Sequence, residues 1–376
     1  MPAPYTGQLN SNEVLASLFN MIISIEVDSA NIAGTFSSLV DEARVDGGLY
    51  GDTKLFVATD ILESHPWVGD NEATNLLAID RPPEPKEQAI TLDVFRQVRV
   101  TIDNYLSKRA WQDEGTFAVF NGVILGWLRD TKRVYDSTTY NAFVGTYAYT
   151  QGTNGSTTLE IPEAKTEADR RNRSGIIGEA LANIFIGLKD ATRQYNDYNF
   201  MRSYDLNDII VVWNSKWVNQ IEKRDLPTIF HDERFKDLFD SKYVLPAKYF
   251  GAVSSATTVP SVGTYRSLIE QKITVGAVTK DYFAGEIVPA GATVPADSTY
   301  VEDGSVVCVV MHRRAIPFMS AFEIGTSFFN ARSLTENHYL TWGHNTIEHL
   351  KDKPYFYIDV EDDSTLNEVI STKEVA

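Results

Sequence analysis

Cysteine is nearly absent. Cys308 is the only one in 376 residues, so no intrachain disulfide can form, and its place inside the apolar run Val306 to Met311 predicts a buried free thiol. Such a chain suits folding in a reducing cytoplasm. Long hydrophobic runs are missing too: no uncharged apolar stretch approaches the ~20 residues that a membrane-spanning helix needs. No Lys or Arg precedes Arg44, so the basic start of a secretory signal is lacking, and neither export nor membrane insertion is expected. Basic residues are in deficit, 34 Lys and Arg against 51 Asp and Glu, for a formal net charge of -17. Affinity for nucleic acid comes mainly from cationic side chains that displace counterions, so a large phosphate-binding face is disfavoured. Mutual repulsion that keeps an abundant protein soluble is the better reading of the acidity.

Catalytic signatures are also missing. The chain contains no Gly-x-x-x-x-Gly-Lys loop, no Gly-x-Gly-x-x-Gly, no Gly-x-Ser-x-Gly and no His-Glu-x-x-His. One cysteine excludes cysteine-rich zinc sites. His338, His344 and His349 form a cluster of imidazoles whose spacings suit neither one helix face nor a single strand face, so no metal site is assigned. His231, Asp232 and Glu233 are adjacent, which sends their side chains in different directions; a helix start or polar loop explains them better than acid-base chemistry. No catalytic residue and no cofactor is expected.

What the chain does carry is a large apolar inventory, 43% hydrophobic with 18 Tyr, 19 Phe and 6 Trp, enough for a core in two or three lobes. Asn10 and Glu13 resemble a capping box ahead of an amphipathic helix bearing Val14, Leu15, Leu18, Phe19, Ile22 and Ile25. Leu55 to Ala58 reads as a strand, and Ser64 to Glu87, acidic and containing Pro66, Pro82, Pro83 and Pro85, reads as an extended loop. From Ala89, the residues Ile90, Leu92, Val94, Val98, Val100 and Ile102 share one parity, while Thr91, Asp93, Gln97, Arg99 and Thr101 take the other, which predicts a long two-faced β-arm. After Asp113 and Glu114, apolar residues recur every three or four positions, predicting one helix to about Phe143, with Gly122 and Gly126 as points of close backbone packing.

Tyr147 to Ile161 reads as a hairpin turning at Asn154-Gly155. A second helix follows Pro162, with Ile176, Ile177, Leu181, Ile184, Phe185 and Leu188 as its apolar stripe and a basic cluster of Arg170, Arg171 and Arg173 near its start. A salt-bridged helix face accounts for those arginines, and contact with an acidic neighbouring subunit is the functional alternative. Asp208 to Trp213 is a short continuous apolar strand carrying Ile209, Ile210, Val211 and Val212, closed by Asn214 and Ser215, which can cap a helix over Lys216 to Glu222. Further strands are expected at Ile273 to Val275, Ile287 to Val288, Val306 to Val310 and Tyr355 to Val360.

Taken in order, this succession resembles the Hong Kong 97-like capsid fold, an α+β class. The correspondence gives an N-terminal arm at 1–48, an extended β-hairpin loop at 49–110, a peripheral domain with a long spine helix at 111–164 and 320–376, and an axial domain at 165–319. Thr101-Ile102-Asp103 through the spine helix, Asp208 to Asn214, and Asn337 to Trp342 through Tyr355 to Asp359 are similar to segments of major capsid proteins of short-tailed phages, the podovirus type.

The resemblance implies a major capsid protein that self-assembles through hexamers and pentamers into an icosahedral-type shell around double-stranded DNA. It implies assembly in the bacterial host cytoplasm with a scaffolding protein and a portal, residence in the virion, and minor capsid or decoration proteins as further candidate partners. DNA would be enclosed without sequence-specific binding, and no membrane is involved. The β-arm, too long for a monomer to bury, would lie on a neighbouring subunit. Val94, Phe95, Val98 and Arg99 in the arm, and Arg170, Arg171 and Arg173, are the candidate inter-subunit contacts. The alternatives are an encapsulin-like nanocompartment shell and a two-lobed α/β enzyme whose Ser64 to Glu87 segment would be a lid.

Overall fold

The computed structural model describes residues 38–46, 53–67, 81–103, 114–151, 154–221, 243–276 and 278–363. The amphipathic helix expected near residues 13–25 and the His231 to Glu233 triplet lie outside them. In chain order the elements are α1 Ser38–Ala43, β1 Arg44–Asp46, β2 Thr53–Ala58, β3 Lys86–Asp103, α2 Glu114–Gln151, β4 Thr157–Pro162, α3 Glu167–Lys189, β5 Ile209–Asn214, α4 Ser215–Ile221, β6 Val244–Leu245 and β7 Gly251–Ser254. There follow β8 Tyr265–Ser267, β9 Gln271–Val275, β10 Val278–Tyr282, β11 Thr299–Glu302, β12 Val306–His312, β13 Phe318–Asn330, β14 Thr335–Asn345 and β15 Tyr355–Asp363. The fold is mixed α+β, as the residue patterns imply.

One five-stranded sheet runs β4-β15-β12-β5-β6 and is covered on both faces. Coverage explains why β5 (IIVVWN) and β12 (VVCVVMH) are unbroken apolar runs, buried at every position. Parity sorts them: Ile210, Val212, Val309 and Met311 pack with Tyr140 and Val144 of α2, while Ile209, Val211, Cys308 and Val310 pack with Ile177, Leu181 and Phe185 of α3. A β-bulge between Val306 and Cys308 inverts the order, so that Val306 joins the α2 side and Val307 the α3 side. Cys308 is fully buried, and burial pushes its thiol pKa up, which keeps it an inert apolar filler.

Helix α2 is 38 residues long, about 57 Å at 1.5 Å per residue. It continues past Phe143 to Gln151, and Tyr140, Ala142 and Val144 along it have no exposed surface. The hairpin expected at Tyr147 to Ile161 is therefore not formed. Tyr147 to Thr150 stay helical, and β4 instead pairs in parallel with β15. The β propensity of the Tyr and Thr residues there does not decide their local structure. The expected turn survives, with Gly155 at φ +98°. The close-packed glycine of the helix is Gly145, where a Cβ would run into the Tyr249 carbonyl; Gly126 faces open space, and the surroundings of Gly122 lie outside the described side chains.

The second five-stranded sheet has the order β1-β13-β14-β3-β2. Strand β3 shows the predicted two faces: Ile90, Leu92 and Ile102 are buried, while Thr91, Asp93, Gln97, Arg99 and Thr101 are exposed. The chain itself supplies its neighbours, β2 antiparallel along Lys86 to Thr91 and β14 antiparallel along Leu92 to Asp103. The arm is thus paired at home and does not require another subunit to bury its inner face. A small β lobe between β6 and β12 holds β7-β11-β8 and the β9–β10 hairpin around Val259, Ile273, Val288, Ala292 and Val294. The strand expected at Ile287 to Val288 is only an isolated bridge from Ile287 to Arg266.

Candidate assembly surfaces

The inner face of the β3 sheet docks on α2. Val98 and Val100 join Leu340 and Trp342 against Leu128 and Tyr135. A polar cluster pins the same junction. The Tyr135 hydroxyl lies 2.9 Å from His344 Nε2, and His344 Nδ1 lies 2.7 Å from the Asn345 carbonyl. A carbonyl can only accept, so Nδ1 carries the proton and Nε2 accepts from the tyrosine. Burial lowers the His344 pKa and raises that of Tyr135, keeping both neutral. Beside them, buried Asp136 receives Arg44 at 3.1 Å and Lys132 at 3.2 Å, and Lys132 also reaches Glu323 of β13 at 3.3 Å.

Of the four arm residues singled out in sequence, Val94 and Val98 share the inward parity, and Val98 is committed to this packing. Phe95, on the opposite face, stacks on Phe322 of β13 with centroids 5.8 Å apart. Gly343 makes room for the ring, since a Cβ there would come within 2.7 Å of Phe95. Arg99 is exposed. Strand register puts Ile324 and Phe328 of β13 on the same outer face as Arg99, and Phe328 is 64% exposed. Beyond Ser320, no strand among the described residues pairs with the outer edge of β13.

The segment after β2 is a second unburied apolar surface. The Asp60 carboxylate accepts from the backbone N–H groups of Met201 and Ile61, each at 2.9 Å, and from Arg193 at 2.7 Å. The Met201 bond leads in lowering its pKa, with help from Arg193. Past this anchor the chain presents Ile61, Leu62 and Trp67 to solvent, Trp67 at 91% exposure. Large apolar side chains left exposed in this way are candidates for an interaction surface.

The three arginines separate. Arg173 is held by Asp362 at 2.7 Å and lies 5.3 Å from the centroid of the Trp217 ring, an ion pair across α3 and β15. Arg170 contacts Glu167 at 3.8 Å from an exposed position, and Arg171 is exposed with no ion pair among the described residues. The helix that carries them starts at a capping box not foreseen in the sequence: Thr166 Oγ1 accepts from Asp169 N, and the Asp169 carboxylate accepts from Thr166 N at 2.7 Å. The T-E-A-D spacing was the available signal. Of the histidines, His338 and His344 lie on β14, and His349 is paired with Asp197 at 3.2 Å.

Residues 6–356 match the model of the Phi29-like phage major capsid protein family. The chain belongs to that family. The fold of these major capsid proteins is also met in solved phage structures. A chain of the Staphylococcus phage Andhra capsid shares 11% identity at a TM-score of 0.58, covering 85% of this chain and 83% of that one. A chain from the structure of the head fiber and inner core protein gp22 of native bacteriophage P68 gives 11% identity and 0.56, over 85% and 83%. One from the mature capsid of bacteriophage PhiM1 gives 10% and 0.50, over 86% and 87%. At these identities the likeness is one of fold. No curated protein matches the sequence. As a phage capsid protein, the chain is a component of the virion, and no described helix is long and apolar enough to cross a membrane.

Proposed function

We propose that this chain is the major shell subunit of a short-tailed phage, with a Hong Kong 97-like fold. It assembles through hexamers and pentamers into an icosahedral-type shell that encloses double-stranded DNA, and it has no enzymatic role. The observation that carries the reading is the match to a phage major capsid family over residues 6–356. Helix α2 serves as the spine, β2, β3 and the segment joining them form the extended loop, and α3, β5, β6 and β12 belong to the axial domain. Exposed Trp67, Leu62, Phe328 and Ile324 support the reading, because a subunit that is covered by its neighbours can leave such side chains unburied in isolation. Assembly takes place in the host cytoplasm with a scaffolding protein and a portal, and the acidic balance of the chain suits a lining that releases DNA.

The test is negative-stain microscopy with sedimentation, on the protein expressed with and without the neighbouring phage genes. Closed shells of uniform diameter are expected, and nucleic acid inside them separates a genome container from a nanocompartment. A small monodisperse species under both conditions would contradict the reading and favour an enzyme.

A further inference from the structure

The chain has a formal charge of -17, yet a cleft of about 690 Å³ at one end of the α3-covered sheet is cationic. Arg170 and Arg173 of α3, Lys216 and Trp217 of α4, Gly304 and Asp362 line it, three cations to one carboxylate. Each wall is fixed. The Trp217 indole N–H donates to the Gly304 carbonyl at 2.9 Å, and the Lys216 ammonium donates to the same oxygen at 3.1 Å. The Arg173 guanidinium and the Lys216 ammonium lie 5.3 and 5.5 Å from the Trp217 ring centroid. Asp362 neutralises Arg173 alone. Arg173 Nε is buried with no acceptor among the described residues, so donor capacity there exceeds what those residues accept. Arg170 opens to solvent at 47% side-chain exposure with only a long 3.8 Å contact to exposed Glu167, and exposed Arg171 follows it in α3 without lining the cleft.

Like charges gathered in one cleft repel, and an anion placed between them relieves that repulsion. Guanidinium groups favour planar carboxylate or phosphate partners, which they bind through paired N–H donors. The cleft offers three cations on a chain of net negative charge, whereas grip on DNA needs many phosphate contacts. In an assembly of identical chains, the commonest surface that each copy meets is the acidic surface of another. We infer that the cleft receives an acidic segment of a second copy, whose carboxylates pair with Arg170 and Lys216, exposed Arg171 adding positive charge from the next position of α3. The inference rests on the shell reading and adds the chemistry of one contact.

Shells assembled from equal parts of isotope-labelled and unlabelled chains carrying R170K would be treated with a zero-length carbodiimide, which joins amines to carboxylates. Mass spectrometry is expected to find mixed-isotope peptide pairs linking position 170 or Lys216 to Asp or Glu of another copy. The double variant R170E/R171E is expected to lose at least tenfold in shell yield at low salt with its melting temperature unchanged, while R170K keeps the yield. Normal shells whose only cleft products are intrachain links to Asp362 would overturn the inference and leave the shell reading intact, as would unimpaired assembly of R170E/R171E. An amine at position 170 that becomes reactive only after nuclease treatment would assign the cleft to nucleic acid and overturn it. Failure of the wild-type chain to form shells would remove the shell reading and this contact together.

Discussion

The two five-stranded sheets meet opposite fates. In the β4-β15-β12-β5-β6 sheet, helices α2 and α3 close both faces, and every residue of β5 and β12 is buried. In the β1-β13-β14-β3-β2 sheet, α2 covers one face while the other stays open, and most of β13 is exposed. Natural edge strands are commonly guarded by Lys, Pro or a covering element. Residues 321–330 of β13 contain neither, and instead carry Phe322, Ile324, Phe328 and Phe329. The first sheet is thus a core completed within one chain, and the second leaves an exposed apolar face that, on the shell reading, other chains complete.

The largest effect that separates the two is a cavity. Phe356 is fully buried in the closed sheet and packs on Tyr195 with centroids 5.4 Å apart, so Phe356→Ala is expected to destabilise the unassembled chain by about 3–5 kcal/mol. Urea titration checks this; a cost under about 1 kcal/mol would mean that the sheet is looser than its burial implies.

Acid is expected to strain both sheets. Burial lowers the His312 pKa to about 4, Lys353 adding to the effect, and burial likewise lowers that of His344. His312 Nδ1 accepts the Arg314 N–H at 3.0 Å, a role lost on protonation. The unfolded chain takes up these protons from about pH 6.5 downward, while folded His312 resists until about pH 4. The contribution is present above pH 6.5 and is lost as pH falls, with a slope of up to about 1.4 kcal/mol per pH unit for each imidazole. Urea midpoints between pH 7.5 and 4.5 should flatten in H312Q for the closed sheet and in H344Q for the open one. Unchanged slopes in both would contradict the assignment.

Next comes the lid of the closed sheet. Thr166→Ala removes the capping box of α3 and should cost about 1 kcal/mol, read as a shift in the urea midpoint. The smallest effect on the isolated chain belongs to the open sheet: Phe328→Ser with Ile324→Thr should stay within about 0.5 kcal/mol. Its consequence should appear in sedimentation, as a loss of shells from a chain that still folds. A large loss of monomer stability would mean that these side chains are already packed within one chain.

The sequence was most legible where one chain determines the answer. The parity of Ile90 to Ile102 predicted the two faces of β3, and the apolar runs at Ile209 and Val306 predicted strands, both of which prove buried at every position. It was least legible where pairing is distant or packing dominates. The partner of Thr101 is Asn337, 236 residues away, and the open face of β13 and β14 mixes Thr, Phe, Asn and Ile without clean alternation. Tyr147 to Thr150 read as strand because Tyr and Thr favour strand locally, whereas α2 runs through them to Gln151. Among the candidate contacts, the basic cluster was visible as residues, but the role of Trp217 and Asp362 in dividing Arg173 from Arg170 needed the fold.

The most direct test of the contrast is amide hydrogen exchange on the unassembled chain and on the assembled shell. Amides of β12 should be slow in both. Those of β13 over 321–330 that point away from β14, together with those of 61–67, should exchange fast in the single chain and slow in the shell. Equal exchange of these segments in the two states would contradict the account, since the open sheet would then have no neighbour that completes it.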